Sequence, residues 1–167
     1  LFYGDHFGLD QHMLNDTDRS LLEGLIGHPY SEIDRYNIPF IITAPGITHG
    51  ETNDMIGGQL DFLPTLTNLL GVDIDDQIVH FGQDLLNTEQ NTIGMRYYMP
   101  SGAFINESVI YEPKRSFTDG TLTDLWTQQQ LPQKEINQYK QEYEKVIELE
   151  NLSDSYVQSV PHLPNKK

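Results

Sequence analysis

Apolar positions in the first half of the chain alternate between continuous runs and helical spacing. Residues 1–3 and 38–43 are runs of aromatic and branched aliphatic residues, and the second is apolar on both faces, as a central parallel strand is. Leucines recur at helical spacing in residues 18–26 and 60–70, which predicts two helices with one apolar face each. The order of strand, helix, strand and helix predicts an α/β domain, here assigned to residues 1–90.

Capping residues support both helices. Asp18 or Ser20 is a candidate N-cap for the first helix, and Gly27 follows its last apolar position. In the second helix Pro64 is tolerated if it lies in the first turn, and Gly71 stands at the C′ position.

The pattern changes after residue 90. Four short aromatic or β-branched runs, separated by turn residues, predict a small antiparallel sheet; they are residues 95–98, 103–105, 108–111 and 121–123. Pro132 then suits the start of a long helix, whose apolar positions predict packing on the sheet. We therefore predict a β subdomain with an amphipathic helix over residues 91–155, and a tail over 156–167.

Composition excludes several kinds of partner and site. Ten Lys and Arg against 25 Asp and Glu give a net charge of −15, which argues against a nucleic-acid binder. The absence of cysteine excludes disulfides, thiolate metal sites and a cysteine nucleophile. No apolar run in the sequence is long enough to span a bilayer. Because residue 1 is a leucine inside an apolar run, we expect the chain to be a fragment of a longer protein.

The loop after the first predicted strand is the best candidate for chemistry. Asp5 and His6 lie between Gly4 and Gly8 at the end of that strand, where ligands gather in α/β sheets. Flexible glycines allow both side chains to reach one ion, and an oxygen-rich set with one nitrogen suits Mn²⁺ or Zn²⁺. His12 could face the same cleft. The alternative is structural: Asp5 caps the loop and His6 is a buried, hydrogen-bonded histidine.

Other polar residues carry weaker signals. His28, His49, His80 and His162 lack the spacing of a helical metal site and are interpreted as surface residues. Asp61 is expected to interact with backbone amides near a helix start. Asp73, Asp75 and Asp76 are interpreted as a solvated turn, because they lack the order of a calcium loop. The sequence contains no nucleophile elbow, P-loop or dinucleotide fingerprint.

Four segments, in order, resemble motifs of the sulfatase-like alkaline phosphatase superfamily. They are residues 2–8 (FYGDHFG), 38–46 (IPFIITAPG), 59–71 (QLDFLPTLTNLLG) and 81–85 (FGQDL). The resemblance covers roughly residues 1–90 and is nearest to the lipoteichoic acid synthase and phosphoglycerol transferase group. Residues 94–150 are similar in outline to the C-terminal subdomain of those enzymes. The expected fold is the C-terminal portion of an alkaline-phosphatase-like sandwich, followed by a small antiparallel sheet with a long helix.

The resemblance implies a specific chemistry. Such enzymes are anchored in the cell membrane by N-terminal helices, and the catalytic domain lies on the extracellular side. A threonine nucleophile takes glycerol phosphate from phosphatidylglycerol and passes it to a polyglycerolphosphate chain. One Mn²⁺, or another divalent cation, is held by a glutamate, that threonine, and the aspartate and histidine that correspond to Asp5 and His6. The glutamate and threonine would lie upstream of Leu1, so the resemblance implies no catalytic nucleophile in this chain and an inactive isolated fragment.

Two other functions stay open at this point. The parent could be a hydrolase of sulfate or phosphate esters with the same fold, or a non-catalytic binding module of the same ancestry. Upstream sequence would separate them, because a transferase needs a threonine, a glutamate and transmembrane helices, whereas a sulfatase needs a cysteine or serine that becomes formylglycine. We also expect weak or absent Mn²⁺ binding by the isolated chain, and self-association through the truncated sheet edge.

Overall fold

The computed structural model describes residues 1–74 and 78–161. The chain forms two compact units, Leu1–Thr52 and Asn53–Lys167. This division follows the contacts within each unit, whereas the predicted bounds at residues 90 and 155 follow the sequence patterns. Those predicted bounds stay a prediction. Asp75, Asp76, His162 and the rest of the predicted tail after it lie outside the described residues.

In the first unit, β1 (Phe2–Tyr3) pairs antiparallel with β2 (Phe40–Ile41), with Phe2 opposite Ile41 and Tyr3 opposite Phe40. The predicted strands are therefore present, but the prediction of a buried, parallel strand is wrong. Phe2 and Ile41 are 69% and 54% exposed. Within the described residues β2 has one neighbouring strand, and a two-stranded ribbon leaves its apolar faces open.

Helix α1 (Asp16–Ile26) follows an exposed 3₁₀ turn at Gln11–Met13. Its N-cap is Asn15, whose side chain accepts hydrogen bonds from the backbone N–H groups of Thr17 and Asp18. The Asp18 carboxylate accepts in return from the Asn15 N–H, completing a capping box. The predicted caps Asp18 and Ser20 are therefore wrong, because Asp18 is the third residue of the helix. Gly27, at φ 81°, ends α1 as predicted.

Helix α2 (Phe62–Leu69) opens the second unit after a 3₁₀ turn at Gln59–Asp61. Pro64 lies in its first turn and is buried, and Gly71 follows the helix at φ 67°, both as predicted. The helix places the Asp61 carboxylate at its N-terminal end, where backbone N–H groups are available.

The predicted antiparallel sheet is confirmed. Its strands, in spatial and chain order, are β3 (Thr92–Gly94), β4 (Phe104–Asn106), β5 (Val109–Glu112) and β6 (Thr121–Asp124), and each neighbouring pair is antiparallel. The first strand was predicted at 95–98 and lies three residues earlier. Tyr97 has φ 85°, a left-handed conformation that cannot continue a strand.

Helix α3 (Lys140–Ser159) packs on this sheet, as the apolar spacing predicts. Pro132 begins a 3₁₀ segment, Gln133–Tyr139, rather than the α-helix itself. The sheet, the 3₁₀ segment and α3 together form a core of side chains that are at most 2% exposed: Phe104, Val109, Tyr111, Leu122, Ile136 and Val146. No helix in the described part of the chain, α3 included, is long and apolar enough to cross a membrane.

Candidate metal loop

Two backbone hydrogen bonds hold the loop of residues 4–8 in the first unit. The Gly4 N–H donates to the Pro39 carbonyl at 2.9 Å, and the Gly8 N–H donates to the Arg35 carbonyl at 2.7 Å. Gly4 is required by close approach, since a Cβ there would lie 2.8 Å from the Cβ of Ile38. The segment at residues 35–39 therefore fixes both ends of the loop.

Asp5 and His6 project from this loop into solvent. Their side chains are 85% and 74% exposed, and Asp5 Oδ1 lies 3.9 Å from His6 Nε2. His6 Nδ1 lies 2.7 Å from the Phe7 carbonyl oxygen. A carbonyl only accepts hydrogen bonds, so Nδ1 carries a proton, and in the neutral ring Nε2 is the nitrogen with the lone pair, on the side of the Asp5 carboxylate. The exposure of His6 contradicts the alternative of a buried histidine.

This donor set fits half of a divalent metal site. Metal-ligating histidines usually donate their other ring N–H to a carboxylate or a backbone carbonyl, as His6 does to Phe7. Complete sites need roughly four to six ligands. Within residues 1–74 and 78–161, no group of three or more His, Asp or Glu side chains could hold an ion. The assignment of Asp5 and His6 as metal ligands stays a prediction that this geometry supports.

The other histidines have separate environments. His12 lies in the exposed turn Gln11–Met13, where its backbone N–H donates to the Asp10 carboxylate, and its place in a shared cleft stays a prediction. His28 is exposed, as interpreted from the sequence, and its Nε2 lies 2.7 Å from Asp34 Oδ1. Burial alone would raise the pKa of Asp34, but hydrogen bonds from Ser31 and His28 outweigh it and hold that pKa below its usual value.

Arg35 is the residue beside the loop that sequence reasoning missed. Its guanidinium carbon lies 4.1 Å from the centre of the Phe7 ring, in a cation–π contact. Its Nη1 donates to Glu32 at 2.7 Å and lies 3.8 Å from an Asp10 oxygen. The hydrogen bond to Glu32 raises the pKa of Arg35 above its ordinary value. No local pattern in the sequence could have linked this arginine with Phe7.

Asp61 has a structural role in the second unit. The side chain is fully buried, and Oδ1 accepts from the Gln83 N–H at 2.7 Å. Oδ2 accepts from the Gly58 N–H at 2.8 Å and from the Asn91 side-chain amide at 3.0 Å. The prediction that Asp61 binds backbone amides at the helix start is therefore confirmed. These bonds tie the segment at 81–85 to the start of α2.

Neighbouring residues complete this buried network. Thr65 Oγ1 accepts from the Leu85 N–H at 3.0 Å, and the Gln83 side chain donates to Asn91 Oδ1 at 2.9 Å. A Cβ on Gly82 would lie 2.0 Å from the Leu60 carbonyl oxygen, so only glycine fits there. The segments QLDFLPT and FGQDL are thus two halves of one packing motif, while the candidate metal ligands Asp5 and His6 lie in GDHFG.

In fold and in sequence the chain is similar to lipoteichoic acid synthases, which have the alkaline-phosphatase-like architecture expected above. The crystal structure of the lipoteichoic acid synthase LtaP from Listeria monocytogenes matches 98% of this chain with a TM-score of 0.79 and 30% sequence identity. The matched part is 39% of that chain. The resemblance found in the sequence and the fold class are therefore confirmed.

Two curated proteins show the same similarity by sequence. The lipoteichoic acid synthase-like protein YvgJ of Bacillus subtilis (strain 168) is 34% identical over 123 residues, which are 72% of this chain and 19% of that protein. Lipoteichoic acid synthase of Staphylococcus aureus (strain USA300) is 30% identical over 93 residues, or 56% of this chain and 14% of that protein. The chain spans less than a fifth of these relatives. No family model matches it.

Proposed function

We propose that this chain is a segment of a phosphoglycerol transferase that acts in lipoteichoic acid synthesis. The observation that carries the proposal is the match to a solved lipoteichoic acid synthase over 98% of the chain at 30% identity. The match takes in only 39% of that protein, and we place the nucleophilic threonine and the rest of the active site in sequence outside this segment. On that assignment the segment alone is inactive.

In this proposal Asp5 and His6 supply one side of a Mn²⁺ site, or a site for another divalent cation. A glutamate and the nucleophilic threonine complete it from the upstream part of the parent enzyme. A divalent ion held by these residues would supply the positive charge that lowers the pKa of the threonine hydroxyl and offsets charge on the phosphoryl group. His6 presents Nε2 because its Nδ1–H is held by the Phe7 carbonyl, and Asp5 contributes a carboxylate 3.9 Å away.

The substrates of the parent enzyme are phosphatidylglycerol and the growing polyglycerolphosphate chain. The parent is anchored in the cell membrane by N-terminal helices, and this segment lies on the extracellular side. Both substrates are anionic and the segment carries a net charge of −15, so the long-range field opposes binding. The metal ion and basic residues elsewhere in the parent must supply the local attraction.

The test is transferase activity of the full-length protein that contains this chain, reconstituted in vesicles of phosphatidylglycerol with Mn²⁺. His6→Ala is compared with His49→Ala, a matched control on an exposed histidine of the same unit. Removing a metal ligand should cost more than the roughly 10–100-fold loss that outer-shell changes cause, and His49→Ala should cost little. Full activity of His6→Ala would refute the proposal. Release of inorganic sulfate or phosphate from an added sulfate ester or phosphate monoester would instead indicate a hydrolase, and no turnover of any of these substrates would indicate a binding module.

A further inference from the structure

One peptide group links His6 to residue 35. The Phe7 carbonyl accepts the hydrogen bond from His6 Nδ1, and the Gly8 N–H of the same peptide donates to the Arg35 carbonyl at 2.7 Å. A trans peptide is planar, with its C=O and N–H pointing in opposite directions. The bond from Gly8 to Arg35 therefore restricts the direction in which the Phe7 carbonyl meets the His6 ring, and contacts of the Phe7 side chain must supply the rest of the restraint.

The Arg35 side chain holds the same residue from another direction. Its guanidinium stacks on the Phe7 ring at 4.1 Å, and the Glu32 carboxylate holds it there through Nη1. The side chain is only 20% exposed, and its buried Nε has no hydrogen-bond partner in the described part of the chain. The Arg35 guanidinium is therefore placed so that its flat face packs on the Phe7 ring, and not so that all of its hydrogen-bond donors are used.

Tyr30 closes the arrangement on the far side of Gly8. Its hydroxyl donates to the Leu9 carbonyl at 2.8 Å, and a Cβ on Gly8 would lie 3.1 Å from that hydroxyl oxygen. The peptide between Phe7 and Gly8 is thus packed by side chains on both flanks. The His6 ring is exposed to solvent, but the Phe7 carbonyl oxygen that accepts its hydrogen bond is held in place.

We propose that Arg35 is a positioning residue for His6. Its carbonyl orients the Phe7–Gly8 peptide and its guanidinium holds the Phe7 ring, so the imidazole keeps its proton on Nδ1 and its lone pair on Nε2, beside Asp5. The proposal rests on the proposed function in one respect, because it assigns the Nε2 lone pair of His6 to metal binding. The geometric claim itself concerns this chain alone.

The test is the ring ¹⁵N chemical shifts of His6 in the labelled 167-residue chain, recorded without metal at pH 8. The wild-type ring should show the pattern of a single tautomer protonated on Nδ1. In Arg35→Ala the shifts should move toward those of a mobile imidazole that exchanges both tautomers. Arg35→Lys keeps the charge but lacks the planar group, so it should move in the same direction. Arg19→Ala is the matched control, since Arg19 donates to the Gln11 carbonyl and not to the loop.

A folded Arg35→Ala chain with unchanged His6 shifts would overturn the proposal. If that variant does not fold, Phe7→Leu decides, because it removes the ring and leaves the Glu32 ion pair and the Gly8 hydrogen bond in place. Addition of Mn²⁺ separates this proposal from the proposed function. A wild-type chain whose His6 has the fixed tautomer, and whose His6 signals stay sharp while Mn²⁺ broadens those of other carboxylates, supports the positioning role and counts against the metal assignment.

Discussion

Replacing Asp61 by asparagine removes one acceptor from a fully buried carboxylate while keeping its size. The best placement of the new amide keeps its oxygen at the Oδ2 position, where it still accepts from Gly58 and Asn91. Its NH₂ group then faces the Gln83 N–H, which donates to Oδ1 at 2.7 Å in the native chain. Two donors cannot bond each other, so one buried N–H is left without an acceptor.

The cost follows from these three bonds. An unsatisfied buried donor costs about 1–3 kcal/mol, and each remaining bond loses about 1 kcal/mol when its acceptor is no longer charged. The lower cost of burying a neutral amide offsets part of this loss. We expect the free energy of unfolding of the second unit to fall by about 2–4 kcal/mol, and its melting temperature to fall by roughly 8–16 °C.

The assay is urea unfolding followed by the fluorescence of Trp126, the single tryptophan of the chain. Its indole N–H donates to the Glu107 carbonyl at 2.9 Å, so it reports on the β sheet of the second unit. Glu89→Gln is the matched control, because it makes the same acid-to-amide change at an exposed position. A loss for Asp61→Asn no larger than the control's would refute the role given to this network.

Four further substitutions test local features. Gly82→Ala should destabilise the second unit in the same urea assay, because its Cβ would lie 2.0 Å from the carbonyl oxygen of Leu60; an unchanged midpoint would contradict this packing. Gly24→Ala should stabilise α1 by about 0.5–1 kcal/mol, because Gly24 lies inside the helix with open space around it. Gly27→Ala should destabilise α1 by a similar amount or more, because Gly27 has φ 81°. Thermal unfolding followed by circular dichroism measures both effects. Burial, and to a smaller extent the nearby Tyr143, raises the pKa of Tyr111 to about 12. The stability contributed by the neutral hydroxyl is therefore complete below pH 10 and is lost as the pH rises through 12. In Tyr111→Phe the urea midpoint should decline less between pH 10 and 12, and an identical decline would count against this assignment.

The sequence predicted well those elements whose signals are local. The ends of α2 follow from Pro64 and Gly71, and the placement of α3 on the sheet follows from apolar spacing that includes Ile136 and Val146. Hairpin pairing of β4 with β5 follows from the turn between two β-branched runs. In each case residues within a few positions decide the outcome.

Features that depend on distant partners were not predictable in this way. An apolar run such as residues 38–43 does not show which strand will pair with it, and here β2 pairs antiparallel with β1 and stays exposed. The loop of Asp5 and His6 could be found because its glycines and ligand types are adjacent in sequence. Arg35 could not, because its contact with Phe7 is visible only in the folded chain. Self-association through the exposed ribbon stays a prediction.

The central claim is that Asp5 and His6 are one half of a divalent metal site. The most direct test is a Mn²⁺ titration of the ¹⁵N-labelled 167-residue chain, because paramagnetic broadening detects even weak binding at individual residues. We predict weak binding that broadens the signals of Asp5 and His6 first, is abolished in His6→Ala and persists in His49→Ala, a change at an exposed histidine of the same unit. Sharp signals for both residues while other carboxylates broaden, or tight binding that survives His6→Ala, would contradict the claim.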